Sequence, residues 1–154
     1  MPSIGDMAPD FTLTAQDKSS VSLSEMRGSR VILAFYPAAF TGVCTNEMCA
    51  FSDGMASLES SGARVLGISV DAPFSNAAFA EANGITFPLL SDVHREAVEA
   101  YDVNLRDFVI PGYTVAQRSV FVVEADGSIG YAWVADNPGL EPDYDAVMAH
   151  CESP

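Results

Sequence analysis

The sequence predicts a layered α/β domain, a central mixed β-sheet with helices on both faces. Three observations carry that expectation. Residues 31–36 (Val-Ile-Leu-Ala-Phe-Tyr) and 64–70 (Arg-Val-Leu-Gly-Ile-Ser-Val) are apolar runs with the pattern of strands buried on both faces. Between and after them the apolar residues recur with a helical period. Residues 119–123 and 128–133 flank the turn Glu124-Ala125-Asp126-Gly127, the signature of a hairpin. Elements in this order are most readily packed as helices over a sheet. The 154 residues are 49% hydrophobic and 18% charged, a globular balance, and show no repeat or linker, so residues 1–154 read as one domain.

Element by element, a short N-terminal segment leads to the first strand, which Pro37 halts. Cys44, Met48, Phe51, Met55 and Leu58 then form one apolar stripe, predicting a continuous helix over 43–61 that ends near Gly62. After the second strand, Asp71 and Pro73 open a helix with Phe74, Ala77, Ala78 and Ala82 on one side, stopped by Asn83-Gly84. A short strand over 87–91 and a helix over 95–101 follow, then the hairpin. The last helix spans 142–151, with Tyr144, Val147, Met148 and Cys151 on one face.

Charge narrows the function. Twenty-one acidic residues oppose seven basic ones, of which Lys18 is the one lysine, giving a net charge of −14. Such a field repels phosphate backbones, which excludes a nucleic-acid partner. The carboxylates run from Asp6 to Glu152, so the acidic surface extends all round, as suits a protein of a high-salt cytoplasm in a halophile. The longest apolar stretch, residues 31–40, is far short of the roughly 20 residues of a membrane helix. With no signal peptide visible at the N-terminus, no membrane role and a cytoplasmic location are expected.

Cys44, Cys49 and Cys151 are too few for a disulfide scaffold and are either buried hydrophobes or chemistry. Cys44 falls in the first turn of the predicted helix, where free N–H groups and the helix dipole favour a thiolate. It also lies on the apolar stripe, so the residues alone leave a packing role open. Cys151 lies on the stripe of the last helix, which favours packing over a resolving or intersubunit role. His94 and His150 have no useful partner spacing. The cysteines and His150 do not have zinc-site spacing, and no Cys-x-x-Cys or Gly-rich phosphate loop occurs. No cofactor is expected.

Pro37-x-x-x-Thr41-x-x-Cys44, directly after an apolar strand ending Phe35-Tyr36, resembles the active-site signature of the peroxiredoxins. The likeness extends along the chain through Gly5-Asp6-Met7-Ala8-Pro9-Asp10-Phe11, Gly67-Ile68-Ser69-Val70-Asp71, Phe87-Pro88-Leu89-Leu90-Ser91-Asp92 and Arg118-Ser119-Val120-Phe121-Val122-Val123. The resemblance implies a thioredoxin-like fold and a thiol-dependent peroxidase for hydrogen peroxide or small alkyl hydroperoxides. It casts Cys44 as the peroxidatic cysteine. Thr41 would hydrogen-bond the thiolate and the peroxide, Pro37 would shield the thiolate, and Arg118 would hold it and polarise the O–O bond.

The Cys44–Cys49 spacing and Glu47, in a Cys-Thr-x-Glu-x-Cys pattern, are similar to the bacterioferritin-comigratory (PrxQ-like) branch, and Glu47 and Phe40 are candidate supporting residues. In that branch the resolving cysteine, here Cys49, lies on the same helix, and a thioredoxin or similar dithiol protein resets the disulfide. Phe40-Thr41-Gly42 is also similar to the one-cysteine alkyl hydroperoxide reductase E type, in which Cys49 would be idle. A non-catalytic redox sensor is the alternative from another class. The family commonly dimerises near the active-site loop, and Phe40, Phe74, Val109, Ile110 and Tyr113 supply apolar residues for a homodimer.

Overall fold

The computed structural model describes residues 1–153, and for residues 55, 56 and 59 the backbone alone. Met55 of the predicted stripe, as a side chain, and residue 154 of the domain therefore lie outside the described residues. In chain order the strands are β1 (Thr12–Ala15), β2 (Ser20–Ser22), β3 (Val31–Phe35), β4 (Arg64–Ser69), β5 (Leu89–Ser91), β6 (Asn104–Leu105), β7 (Val115–Ala116), β8 (Ser119–Val123) and β9 (Ile129–Val134). The helices are α1 (Gly42–Asp53), α2 (Met55–Ser60), α3 (Pro73–Asn83), α4 (Glu96–Ala100) and α5 (Tyr144–Glu152). Seven strands make one sheet in the order β2-β1-β5-β4-β3-β8-β9, and β6 pairs with β7 alone. β3, β4 and β5 are mutually parallel, and the other pairs are antiparallel, so the predicted mixed sheet is present.

β3 is central, between β4 and β8, and all five of its residues are buried. Its alternation divides the interior. Leu33 and Phe35 join Leu66, Ile68, Tyr101 and Phe121 on the α4 side. Ile32, Ala34 and the following Tyr36 join Cys44, Met48, Phe51, Phe79, Val147 and Cys151 under α1, α3 and α5. This two-sided burial is why the strand reads as a continuous apolar run.

Four local expectations are corrected. The helix over 43–61 is interrupted: α1 ends at Gly54, whose N–H reaches the carbonyls of Ala50 and Ser52, and α2 begins at Met55. A Cβ at Gly54 would sit 2.6 Å from the terminal methyl of Met148, so α5 packs against the break. On α3 the buried residues are Asn76, Phe79 and Ala80, whereas Phe74 is 72% exposed. The apolar pattern misled there because the polar Asn76 is drawn inward by hydrogen bonds. Gly84 caps α3 in the left-handed region (φ 65°), as the Asn83-Gly84 stop requires. The strand expected over 87–91 begins only at Leu89, and the N-terminal segment contributes the β1–β2 hairpin at the sheet edge.

No helix among the described residues is long and apolar enough to cross a membrane.

Candidate active site

The loop between β3 and α1 builds the site. Tyr36 still donates its N–H to the Ile68 carbonyl (2.9 Å), and then Pro37, buried, ends the pairing. The chain turns at Phe40, a non-glycine residue in the left-handed region (φ 66°), which costs about 1–2 kcal/mol without compensation. The Phe40 ring is 58% exposed yet packs edge-on against Phe79 of α3, with centroids 5.3 Å apart. Thr41 is the N-cap of α1, and Cys44, fully buried, is the third residue of the helix. Its surroundings include the first-turn N–H groups that an α-helix leaves without intrahelical partners.

The Thr41 hydroxyl does not take the direction expected of it. It donates to the Ala38 carbonyl (3.0 Å) rather than to the sulfur, bracing the loop internally. The Thr41 carbonyl accepts from both the N–H and the hydroxyl of Thr45 (each 2.9 Å). A hydroxyl that donates its proton in this way keeps its lone pairs as acceptors.

Arg118 arrives from the start of β8, next to β3 in the sheet, and is 1% exposed. One nitrogen, Nη2, donates to Cys44 Sγ (3.1 Å), and Nη1 donates to Glu47 Oε1 (2.9 Å). Nε and Nη2 also donate to the Pro138 carbonyl (3.3 and 3.1 Å), in the loop after β9. A planar fork can span these acceptors; a lysine ammonium could not. Burial works against the Arg118 charge, but Glu47 and Cys44 outweigh it and raise its pKa.

Glu47, fully buried one turn along α1 from Cys44, is the second acid on that single cation. Burial pushes its carboxyl up to about 8 against the pull of Arg118. Its other oxygen, Oε2, is buried with no hydrogen-bond partner. As an anion Glu47 would leave that oxygen desolvated and unpaired and would place two negative groups on one guanidinium. Burial and Arg118 therefore pull Glu47 in opposite directions, and one guanidinium serves both the carboxyl and the sulfur.

The three cysteines are free thiols and differ in setting. Cys49 is half-buried on the same unbroken stretch of α1 as Cys44. Positions five apart on an α-helix have Cα atoms about 8–9 Å apart, beyond the roughly 4.4–6.8 Å of a disulfide. Cys151 is buried in the α5 stripe, and burial pushes its thiol up to about 11, the setting of an unreactive packing residue. Among the described residues no group of three or more His, Cys, Asp or Glu side chains could hold a metal ion.

Of the residues singled out in the sequence, Arg118 contacts both Cys44 and Glu47, while Pro37 and Thr41 lie in the loop that leads into α1. Sequence reasoning missed the Pro138 carbonyl, a main-chain group with no sequence mark. It also missed a polar cluster behind the loop: Tyr36 donates its hydroxyl to Asn76 Oδ1 (2.7 Å), and Asp71 Oδ2 accepts from Ser69 Oγ (2.9 Å) and from the Ala39 N–H (2.8 Å). The available signal was Ser69, a polar residue inside an apolar strand run.

A buried cysteine on a helix N-terminus, paired with a buried arginine on a thioredoxin-like sheet, defines a thiol-dependent redox enzyme. The model of the AhpC/TSA family matches residues 4–132, and the chain belongs to that family. It is a peroxiredoxin, a thiol-dependent peroxidase. The chain is 38% identical over 145 residues to Peroxiredoxin Bcp of Escherichia coli, covering 94% of this chain and 92% of that one. Among solved structures it is similar to Peroxidoxin BcpB from Mycobacterium tuberculosis (TM-score 0.87, 29% identity, 98% and 97% of the two chains). It is also similar to the bacterioferritin comigratory protein of Xanthomonas campestris (TM-score 0.82, 26% identity, 92% and 90%).

Proposed function

We propose that Cys44 is the peroxidatic cysteine of this enzyme, that Cys49 resolves it, and that a thioredoxin-like dithiol protein resets the pair. The observation that carries the reading is the 3.1 Å contact from Arg118 Nη2 to a fully buried Cys44 Sγ in the first turn of α1.

The Cys44 thiolate attacks the terminal oxygen of hydrogen peroxide or a small alkyl hydroperoxide, forming an S–O bond as the O–O bond breaks. Sulfur is oxidised to the sulfenic acid, and the departing alkoxide or hydroxide takes up a proton. Arg118 and the helix N–H groups stabilise charge moving from sulfur to oxygen. The lone pairs of Thr41 Oγ1 are free to accept the peroxide proton, and Pro37 covers the sulfur. The Cys49 thiol then displaces the sulfenic hydroxyl as water, once the first turn of α1 has unwound. The external dithiol reduces the disulfide by exchange. Sulfur alone carries the electrons, so the sequence of steps balances without metal, haem or flavin.

Exposed Phe40, Phe74, Val109 and Ile110 support a homodimer through the loop edge, which sedimentation velocity would test. Tyr113 drops out of that patch because it is half-buried against Phe108 (centroids 6.3 Å apart). The −14 charge supports a saline cytoplasm as the working environment.

Cys44→Ser tests the assignment. The variant is expected to fold and to lose peroxide reduction, because a serine hydroxyl is not ionised at neutral pH. Retention of more than a few per cent of the activity would end it.

A further inference from the structure

We infer that Asp71 is a positioning residue for the peroxidatic loop, acting as an acceptor that holds the loop from outside; the inference rests on Cys44 being the reacting thiol. Asp71 lies in the short connection from β4 to α3, outside the set of residues that meet Cys44 and Arg118. Its Oδ2 accepts the Ala39 N–H at 2.8 Å. Ala39 is the residue before Phe40, where the chain enters the left-handed region that turns it toward the α1 N-cap.

An alanine-rich loop has little else to fix it. Ala38 and Ala39 carry no polar side chain, and Phe40 contributes an exposed ring against Phe79. Inside the loop, Thr41 Oγ1 to the Ala38 carbonyl sets the turn but does not attach it to the body of the protein. The Ala39–Asp71 bond supplies that attachment.

Asp71 is itself held. Its Oδ2 also accepts from Ser69 Oγ at 2.9 Å, and its N–H reaches Ser69 Oγ at 3.3 Å. Ser69 is fully buried at the end of β4 and lies against Asn76 of α3 (3.5 Å). Asn76, fully buried, accepts from Tyr36, the residue that precedes Pro37 (2.7 Å), and its Nδ2 lies 3.4 Å from Ser91 Oγ on β5. The loop is thus anchored at Tyr36 and Ala39 to one buried network spanning β4, β5 and α3. Between and just beyond those anchors lie Pro37 and Thr41, the groups that shape the peroxide site. Displacing reacting groups by about 1 Å can cost on the order of 10²-fold in rate, so a loop free at Ala39 loses reactivity without losing the fold.

The test compares Asp71→Ala with Asp71→Asn. The asparagine carbonyl oxygen can accept from both Ala39 and Ser69, whereas alanine removes the acceptor of the Ala39 N–H and leaves the Ser69 hydroxyl only its longer contact to Asn76 Oδ1 (3.5 Å). Hydrogen peroxide reduction with thioredoxin and its reductase is measured per folded molecule, well below the melting temperature. Hydrogen exchange at the Ala39 amide is followed alongside. Asp71→Ala is expected to lower kcat/KM by about 10- to 100-fold and to lose protection at Ala39. Asp71→Asn is expected to stay within about threefold of the parent and to keep that protection. If Asp71→Ala does not fold, Asp71→Ser, too short to reach Ala39, takes its place with the same expectation.

An alanine or serine variant with a lowered melting temperature but full kcat/KM would reduce Asp71 to a structural residue and overturn the inference. An asparagine variant as slow as alanine would also overturn it, because charge rather than hydrogen-bond acceptance would then matter. Cys44→Ser is run in parallel. Activity surviving there overturns the thiol assignment, whereas an inactive Cys44→Ser beside a fully active Asp71→Ala overturns the positioning role alone.

Discussion

Replacing Arg118 with alanine removes four directed hydrogen bonds at once, to Cys44, to Glu47 and two to the Pro138 carbonyl. The charge-assisted donor to Cys44 Sγ is lost from the transition state, which should lower the peroxide rate by about 10²–10³, or about 3–4 kcal/mol of barrier. Stopped-flow peroxide reduction measures the loss, with circular dichroism confirming the fold. Arg118→Lys keeps a charge but cannot span two acids and a carbonyl, and should lose at least tenfold. A loss below fivefold in Arg118→Ala would refute the role given to the guanidinium.

Three further outcomes follow from the same geometry. On oxidation, residues 45–48 should lose amide protection, because the Cys44–Cys49 bond cannot close across intact α1; Cys49→Ser should prevent the change and leave Cys44 open to overoxidation, and unchanged protection or a Cys44–Cys151 disulfide by mass spectrometry would remove Cys49 from the cycle. Burial lifts Glu47 to about 8 in the folded chain from an ordinary value of 4.5, so the folded state binds more protons between those limits and stability should fall as pH rises through that window. Glu47→Gln should flatten that slope in urea titrations, and an identical slope in both proteins would refute the upward shift. Fourteen net negative charges repel over a Debye length of about 10 Å at 0.1 M salt and about 3 Å at 1 M, so the melting temperature should climb steeply with KCl; a flat response from about 0.1 to 2 M would remove the saline adaptation.

The strands that form the middle of the sheet were legible because both faces are covered: β3, β4 and β8 have no solvent side, and their runs are unbroken. The edge was not. β1 and β2 have mixed exposure and short length, and nothing local distinguishes them from a loop. The helix breaks at Gly54, where a Cβ would meet Met148, almost a hundred residues away, and that close approach could not be read from the helical period. In the site, a side chain with a role set by its place in a motif was visible in advance, as with Cys44 and Arg118. The direction of the Thr41 hydroxyl, the Pro138 acceptor and the inward turn of Asn76 depend on where the chain returns in space. Polar residues buried against the apolar pattern, Ser69 and Asn76 above all, are where hydrophobic periodicity fails and where the network behind the loop is found.

The sheet places Cys44 and its helix on one side and a packed interior without any of the proposed reacting groups on the other. That partition gives the enzyme a genetic signature. In a library of single substitutions, two quantities can be scored for each variant: how much protein accumulates, and how active each molecule is. Along β3 and into Tyr36 the two scores should alternate with the pleat. Changes at Leu33 and Phe35 should reduce abundance while the surviving molecules turn over normally. Changes at Ile32, Ala34 and Tyr36, which face the helix carrying the thiol, should reduce activity per molecule as well. Read this way, a period of two in a table of mutant phenotypes would trace the wall between the chemistry and the frame that outlasts it.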